Sequence, residues 1–390
     1  MPAIWLWFND PRAIMISEGR FAVGGVTTGG SVMVGDYNGQ TISHAMLFER
    51  LQIDDHVNPA LIKLPDGKAL ACFTRHGAGA GEFYVSRTTT AGNLANWSAP
   101  TNIKAQVSPD ADNYRFSYPH LCQLSAEGGR LYMTFRAESL TDPTQEYWCY
   151  STSDDGGITW AKGRKLWGPT RPYTTLRRNG PNRIDFLFND SHPGSQPNNN
   201  TYHCYIQDGL FYRTDGTLIG GPDALPLNPS TGPTKVYDAA SEGLGRSWIW
   251  DIVPDPLTAR PVACFATFPA YTDHRYHQAR WDGANWVRHE VCDGGGMLIP
   301  TQPAYSGGVI TDPEDINVVF CSRPVDGVFQ IFRYVSADNG VTWSGEQLTF
   351  GNDPCFRPFI PEGSRKLFYC TGRYATTYQE YNTRIESLAI

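Results

Sequence analysis

An eight-residue pattern, Ser-x-Asp-x-Gly-x-Thr-Trp, occurs twice in this chain, at residues 153–160 and 336–343. In each copy the Asp side chain can accept hydrogen bonds from the backbone of its own turn, and the Gly permits a backbone conformation that other residues disfavour. The Trp that ends the pattern is large enough to fill the space between neighbouring sheets. Because such a turn connects adjacent antiparallel strands, the pattern predicts a strand on each side of both copies.

Short apolar or alternating runs recur along the whole chain, separated by Asp-Gly, Asn-Gly or Gly-Gly pairs, as in successive β-strands. The clearest runs are at residues 60–64, 69–74, 131–135, 184–188, 262–268, 316–321 and 366–370. Helix signals are scarce, because no stretch of about 12 residues combines a helical apolar pattern with a cap at each end. We therefore expect an all-β chain.

The strands group into similar units, each with a Pro-containing lead, a strand, a tight turn and further aromatic-rich strands. The units start near residues 11, 58, 118, 172, 247, 303 and 355. Seven units of roughly 35–75 residues are typical of the blades of a β-propeller with loop insertions. The sequence therefore predicts a seven-bladed β-propeller over residues 1–390 as a single domain, with the repeated pattern as Asp-box turns.

Composition excludes several classes of function. The 32 Lys and Arg residues against 39 Asp and Glu residues leave a net charge of −7, without a basic run, so we expect no nucleic-acid partner. No apolar stretch approaches the about 18 residues of a membrane-spanning helix. The first residues lack the features of a signal peptide. We expect an extracellular monomer, present here as a mature form or as a virion-borne one.

Nine cysteines, an odd number without a Cys-x-x-Cys pair, predict buried thiols rather than a disulfide scaffold. Cysteines and histidines are denser between residues 203 and 292. A structural zinc or calcium ion could be held there, with His203, Cys264, His277 and Cys292 as candidate ligands. The alternative is that these residues are ordinary buried thiols and imidazoles.

Four side chains could support acid–base chemistry. His56 and His76 flank one strand–turn–strand segment, so the hairpin can return both imidazoles to the same end of a blade. Tyr118 starts the next unit, and Arg136 closes its hairpin. β-Elimination from a uronate needs a cation to neutralise the carboxylate, a base for the C5 proton and an acid for the O4 leaving group. Arg, His and Tyr can supply these three functions without a required cofactor.

Segments along essentially the whole chain resemble the propeller polysaccharide lyases that include the ulvan lyases. These segments are residues 7–12, 54–59, 65–67, 75–77, 117–119, 171–173, 189–193, 248–251, 274–283 and 372–374. The resemblance implies an active site in a groove over the propeller axis, with His56, His76, Tyr118 and Arg136 carrying the elimination. Further substrate contacts are expected from Asn58, His192, Arg373 and Tyr374. Thr74-Arg75 and Ser191 depart from the family pattern, which leaves the exact substrate open.

The sequence thus predicts a lyase that cleaves a uronic-acid-containing, ulvan-like polysaccharide internally and leaves 4,5-unsaturated uronosyl ends. It leaves open which of the two histidines and Tyr118 is the base and which the acid. One alternative is a sialidase-like glycoside hydrolase, which should carry an early Arg-Ile-Pro motif where this chain has Asp-Pro-Arg-Ala at residues 10–13. The other alternative is a glycan-binding propeller without catalytic activity.

Overall fold

A computed structural model describes residues 1–77, 81–194, 196 and 198–390. Within these residues the strands form seven sheets of antiparallel neighbours, so the fold is the seven-bladed β-propeller that the sequence predicts. The first strands of the sheets begin at residues 13, 60, 114, 173, 246, 309 and 355, close to the seven predicted starts. Within the predicted single domain, the chain divides into two compact units.

The first unit comprises Met1–Pro169, Phe359–Phe368 and Tyr378–Ile390, and it holds three complete sheets. The first sheet contains, in spatial order, β1 (Ala13–Ser17), β2 (Arg20–Val26), β3 (Val32–Tyr37) and β4 (Ile42–Phe48). The second contains β5 (Ala60–Lys63), β6 (Ala69–Thr74), β7 (Phe83–Arg87) and β8 (Thr101–Asn102). The third contains β9 (Tyr114–Leu124), β10 (Arg130–Ser139), β11 (Glu146–Ser153) and β12 (Arg164–Trp167).

The second unit comprises Thr170–Pro358 and Tyr369–Thr377, and it also holds three complete sheets. The fourth sheet contains β13 (Tyr173–Arg178), β14 (Arg183–Asn189), β15 (Thr201–Gln207), β16 (Leu210–Arg213), β17 (Leu218–Gly220) and β18 (Thr234–Tyr237), which pairs with β15. The fifth contains β19 (Arg246–Pro254), β20 (Pro261–Ala270), β21 (Asp273–Trp281) and β22 (Trp286–Gly295). The sixth contains β23 (Val309–Asp312), β24 (Asp315–Val325), β25 (Val328–Val335) and β26 (Ser344–Gln347).

The seventh sheet has residues in both units and contains β27 (Cys355–Phe359), β28 (Lys366–Tyr374) and β29 (Tyr381–Ala389). Within the first unit, β29 is hydrogen-bonded to the start of the chain. The Ile385 backbone N–H donates to the Met1 carbonyl at 2.7 Å, and the Thr383 hydroxyl donates to the Ala3 carbonyl at 3.1 Å. The first and last segments are thereby held together, which satisfies backbone groups that an open sheet edge would expose.

Helical structure in the described part of the chain is confined to single turns. The two α-helical turns are α1 (Lys104–Val107) and α2 (Ala239–Glu242). Three 3₁₀ turns cover Asp55–Val57, Ser125–Glu127 and Pro222–Ala224. None of these helices is long or apolar enough to cross a membrane.

Apolar side chains of the second and third sheets form one buried cluster in the first unit. Phe83 and Phe116 each pack against Phe135, with ring centroids 5.3 and 5.5 Å apart. Trp160, at the end of the first Asp-box, belongs to the same cluster and is only 6% exposed. For the first Asp-box, the structure therefore confirms the prediction that the Trp packs between blades; Trp343 of the second box is half-buried.

The first Asp-box forms the turn between β11 and β12. Asp155 Oδ1 accepts hydrogen bonds from the backbone N–H groups of Ile158 and Thr159, at 3.0 and 2.9 Å. Its other carboxylate oxygen accepts the Thr159 hydroxyl at 2.6 Å, and the Ser153 hydroxyl accepts the Gly157 N–H at 2.9 Å. The predicted mechanism of the turn is thus confirmed.

The second Asp-box repeats these bonds between β25 and β26. Asp338 accepts the backbone N–H and the hydroxyl of Thr342 at 2.8 and 2.6 Å. Ser336 accepts the Gly340 N–H at 2.7 Å. The same Asp-box turn therefore connects the two outer strands of the third sheet and of the sixth sheet.

Replacing Asp155 by Ala should lower the free energy of unfolding by about 1–2 kcal/mol, because four donors of the turn lose their acceptor: the Ser153 hydroxyl, the Ile158 and Thr159 N–H groups and the Thr159 hydroxyl. Urea denaturation followed by tryptophan fluorescence measures this loss. Asp154→Ala is the matched control, since Asp154 is exposed and its ion pair with Arg130 lies at the surface. Equal losses for the two variants would contradict a structural role for the box carboxylate.

None of the nine cysteines is joined in a disulfide, and all but the half-buried Cys292 are buried. This confirms the prediction of buried thiols in place of a disulfide scaffold. Burial raises the pKa of Cys72, Cys149, Cys204 and Cys264, so these four thiols stay protonated.

Candidate functional site

The first histidine of the site lies on the 3₁₀ turn Asp55–Val57, just before β5. Asp54 caps this turn, since its carboxylate accepts the backbone N–H of His56 at 2.9 Å. Asn9 holds the same loop from the other side, because its amide donates to the carbonyls of His56 and Asn58 at 2.7 Å each. The His56 side chain is therefore fixed, and it is 1% exposed.

The second histidine, His76, follows the end of β6. The Gln52 amide holds its backbone on both sides, accepting the His76 N–H at 2.9 Å and donating to the His76 carbonyl at 2.8 Å. The two imidazoles stack face to face, with ring centroids 3.8 Å apart and an interplanar angle of 3°. The prediction that the hairpin returns both rings to the same end of the blade is thus confirmed.

One carboxylate bridges the two imidazoles. Asp54 places one oxygen 2.6 Å from Nδ1 of His56 and the other 3.0 Å from Nδ1 of His76. A second carboxylate, that of Asp55, also lies 2.6 Å from Nδ1 of His56. Burial would raise the pKa of Asp54, but the hydrogen bonds and charge of the histidines outweigh it and lower this pKa, so the carboxylate stays ionised.

The stacked histidines have opposite pKa shifts. Burial alone would lower the pKa of His56, but the charges of Asp54 and Asp55 outweigh burial and raise the pKa to about 9. Burial lowers the pKa of His76 to about 4, and the positive charges of His56 and Arg136 act in the same direction. At neutral pH, His56 is therefore a cation, whereas His76 is a neutral imidazole.

The hydrogen bond to Asp54 also assigns the tautomer of His76. A neutral imidazole that faces a carboxylate with Nδ1 carries its proton there, so Nε2 keeps a lone pair. His76 is the most open member of the group, with 12% of its side chain exposed. A neutral imidazole in this tautomer can accept a proton at Nε2.

Tyr118 lies at an irregularity of β9. On β10, Thr134 pairs with His120 of β9, and Arg136 pairs with Ser117 of β9. Tyr118 and Pro119 therefore form a bulge in β9. The φ of Tyr118 is +61°, a strained value for an aromatic residue. The bulge turns the Tyr118 ring toward the histidines.

The Tyr118 ring is enclosed by aromatic groups of the first unit. Its centroid lies 5.5 Å from that of His56 and 6.0 Å from that of His76. Trp148 of β11 stacks parallel to it at 6.1 Å, and the edge of Phe8 contacts it at 5.5 Å. The ring is 2% exposed, so its position is determined by packing.

Arg136 on β10 completes the group of four predicted catalytic residues. Its guanidinium lies 4.6 Å from the centre of the Tyr118 ring, and the side chain is 1% exposed. The Glu138 carboxylate forms ion pairs with both Arg136 and Arg115. Arg136 thus takes part in a buried salt bridge, and its guanidinium also lies against the Tyr118 ring.

Several residues that contact this group were not predicted. Tyr378 packs on the histidines, with its ring centroid 4.6 Å from that of His56, and its carbonyl accepts the Asp55 N–H at 3.2 Å. Gln379 donates to Asp54 at 3.2 Å. The adjacency of Asp54 and Asp55 to His56 is a signal that could have revealed the carboxylates. No local pattern could have revealed Tyr378 or Trp148, because both reach the site through the fold.

Asn58 has a different role from the predicted substrate contact. Its side chain is fully buried, and its amide oxygen accepts the Leu6 N–H at 2.9 Å. The amide nitrogen donates to the Asn9 carbonyl at 3.4 Å. Asn58 therefore binds the N-terminal segment to the loop that carries His56, because both of its polar atoms are engaged there.

The other predicted substrate contacts belong to the second unit. The His192 ring packs against Tyr173 and Trp248, with centroids 5.3 and 5.1 Å apart, and its Nδ1 accepts the Gly194 N–H. Arg373 is exposed and donates to the Asn352 carbonyl at 2.8 Å, whereas the neighbouring Tyr374 is largely buried. The substrate-binding role of His192, Arg373 and Tyr374 stays a prediction.

The four candidate metal ligands do not come together in the structure. His203 contacts Thr214 and Asp185, Cys264 contacts Thr311, His277 contacts Thr267 and Arg288, and Cys292 contacts Cys321. They lie on four strands whose side chains have separate partners. The expectation of one shared metal site at these four residues is therefore not supported by their positions.

In the described residues, ligand atoms close enough to share a metal ion occur at Asp54, His56 and His76, within 4.8 Å of one another. The raised pKa of His56 favours a proton on this imidazole, in competition with a cation.

The profile of the BNR repeat-containing family matches residues 19–293. A search of the curated proteins finds no match. Among solved structures, an ulvan lyase of polysaccharide lyase family PL25, bound to -[GlcA(1-4)Rha3S]-, superimposes with a TM-score of 0.76 at 13% identity. The match covers 100% of this chain and 93% of that chain.

Two further structures share the fold. The polysaccharide lyase Uly1 matches with a TM-score of 0.60 at 11% identity, over 98% of this chain and 91% of that chain. An α-L-arabinanase from Penicillium chrysogenum, complexed with arabinobiose, matches with a TM-score of 0.51 at 14% identity, over 85% and 93% of the two chains. The structural likeness to ulvan lyases agrees with the resemblance seen in the sequence motifs. The profile of the BNR repeat-containing family matches well over half of the residues of this chain, and the chain therefore belongs to that family.

Proposed function

We propose that the protein is a polysaccharide lyase that cleaves a uronic-acid-containing polymer by β-elimination. This proposal rests on one observation: a neutral histidine, a phenol and two cations lie in one buried group. The histidine is His76, the phenol is Tyr118, and the cations are His56 and Arg136. The fold shared with ulvan lyases supports it. We further propose that the substrate is an acidic polysaccharide and that the enzyme is an extracellular monomer.

The first requirement of elimination is neutralisation of the uronate carboxylate, which makes the C5 proton acidic. Arg136 and the protonated His56 are the cations of the group. Both are almost fully buried, and electrostatic interactions are stronger there than in water. Binding the carboxylate near them stabilises the negative charge that develops when the proton leaves.

The second requirement is a base. His76 is neutral at pH 7 and presents Nε2 as a proton acceptor, while Asp54 holds Nδ1–H. Nε2 takes the C5 proton, and the electron pair of the C5–H bond forms the C4–C5 double bond. Asp54 also stabilises the imidazolium that results, because one of its oxygens is 3.0 Å away.

The third requirement is an acid for the leaving O4. Tyr118 donates its phenolic proton to O4 as the C4–O4 bond breaks. Arg136, 4.6 Å from the ring centre, stabilises the phenolate that remains. The phenolate then takes a proton from solvent, and the His76 imidazolium releases the C5 proton to solvent, which restores both groups for the next cycle.

The proposal is tested by mixing the protein with ulvan, glucuronan, alginate, pectate and glycosaminoglycans and recording ultraviolet absorbance. Elimination creates a C=C bond conjugated to a carboxylate, so absorbance rises on the true substrate. New reducing ends without this absorbance would show hydrolysis, the reaction of the sialidase-like alternative. Binding without new ends would support the non-catalytic alternative.

The dependence of kcat/KM on pH should be bell-shaped. Activity falls as pH drops through about 4, because His76 gains a proton, and falls as pH rises through about 9, because His56 loses its charge. In Asp55→Asn the basic limb should move to lower pH, since one of the carboxylates that raise the pKa of His56 is gone. A basic limb at the same pH in the variant and the wild type would contradict the role of His56.

A further inference from the structure

Two cysteine sulfurs lie in contact in the second unit, whereas the groups used in the proposed reaction belong to the first unit. Cys292 is on β22 of the fifth sheet, and Cys321 is on β24 of the sixth. Their Sγ atoms are 3.6 Å apart. Cys292 is half-buried and therefore reachable from solvent, whereas Cys321 is fully buried.

Contacts beside the sulfurs hold the two sheets in register. The Tyr276 hydroxyl, on the strand paired with Cys292, donates to the carbonyl of Ser322 at 2.8 Å and accepts the Gly308 N–H at 2.9 Å. Gly295 lies so close to Pro324 that a Cβ at this position would be 2.3 Å from the proline ring. The strands that carry the thiols are thus held against each other next to the pair.

We propose that Cys292 and Cys321 are a disulfide-forming pair that links the fifth and sixth sheets when the protein is exposed to an oxidising solution. The bond requires the sulfurs to close from 3.6 Å to about 2 Å. Rotation of the two side chains can cover much of this difference, and the anchored backbones keep the partners in place.

The oxidant is a small disulfide such as oxidised glutathione. The Cys292 thiolate attacks one sulfur of that disulfide, forms a mixed disulfide and releases the first glutathione thiolate. The Cys321 thiolate then attacks the Cys292 sulfur, forms the intramolecular bond and releases the second glutathione thiolate. The two protein thiols are oxidised, the small disulfide is reduced, and the two thiol protons pass to the two glutathione molecules.

Accessibility determines the order of these steps. Burial raises the pKa of Cys321, so this thiol is a poor first nucleophile. Cys292 is the thiol that solvent reaches. Cys321 then acts as the resolving thiol, since the mixed disulfide forms directly beside it.

The test is a thiol count on the full-length protein. After complete reduction, the denatured protein should show nine thiols. After incubation with oxidised glutathione it should show two fewer, and peptide mapping should find Cys292 joined to Cys321. Nine remaining thiols, a cross-link at another pair, or a stable glutathione adduct on Cys292 would each overturn the proposal.

Thermal unfolding gives a second readout. Oxidation should raise the Tm of the wild type by a few degrees, because the cross-link restricts the unfolded chain. The rise should be absent in Cys292→Ala and present in Cys204→Ala, which removes a buried thiol of the fourth sheet. An equal rise in both variants would overturn the proposal. The thiol count on the wild type decides the question even if a variant fails to fold.

Discussion

Tyr118→Phe is expected to lower kcat/KM by about 10²–10⁴-fold, the usual contribution of a positioned general acid. The variant keeps the ring that packs between Trp148, Phe8 and the histidines, and it removes only the hydroxyl. Its Tm should therefore be within a degree or two of the wild type. Initial rates of ultraviolet absorbance increase on the uronate polymer that the wild type cleaves measure the loss.

The control for this variant is Tyr114→Phe on the same strand. Tyr114 is also buried, but its hydroxyl is bonded to Asp110 at 3.0 Å, and it lies in the apolar cluster between the second and third sheets. Its removal should change kcat/KM less than about three-fold, since no transition-state interaction is lost. Full activity in Tyr118→Phe would show that another group protonates O4.

Arg136→Ala is expected to lower kcat/KM by about 10²–10⁴-fold through loss of carboxylate neutralisation. Arg136→Lys should recover only part of this activity, because an ammonium keeps the charge but lacks the planar fork that binds a carboxylate through two hydrogen bonds. Both variants are assayed by the same absorbance method, together with Tm.

The salt bridge with Glu138 gives Arg136 a structural role as well, so stability must be separated from catalysis. Arg115 still contacts Glu138 in the variants, which limits the cost of removing Arg136. Arg130→Lys, at the exposed start of the same strand, is the control and should keep nearly full activity. If the Arg136→Lys enzyme is fully active, or if activity falls only as far as the folded fraction does, Arg136 is not the carboxylate-binding residue.

Local patterns were sufficient to predict the elements of the fold. The Asp-box at Asp155 determines a turn through bonds within five residues, so its geometry follows from the sequence. The meeting of His56 and His76 was also predictable, because one hairpin separates them. The proximity of Tyr118 and Arg136 follows in the same way from the pairing of β9 with β10.

Other members of the site depend on residues far apart along the chain. Tyr378 is more than 300 residues from His56, yet its ring lies against the imidazole. Asn58 was predicted to contact substrate, but Leu6 and Asn9 occupy its amide. The four candidate metal ligands were grouped by their density in the sequence, and the strands that carry them give each one a separate partner.

The sequence by itself determined the all-β architecture, the seven repeated sheets, the Asp-box turns and the identity of the four central side chains, because these depend on short-range backbone chemistry and on hairpin pairing. Only the tertiary structure decided which histidine carries the charge. That difference arises because Asp54 and Asp55 both reach Nδ1 of His56, whereas His76 is buried beside two cations with one shared carboxylate. The pKa of a side chain is set by its whole surroundings, which the order of residues alone does not specify.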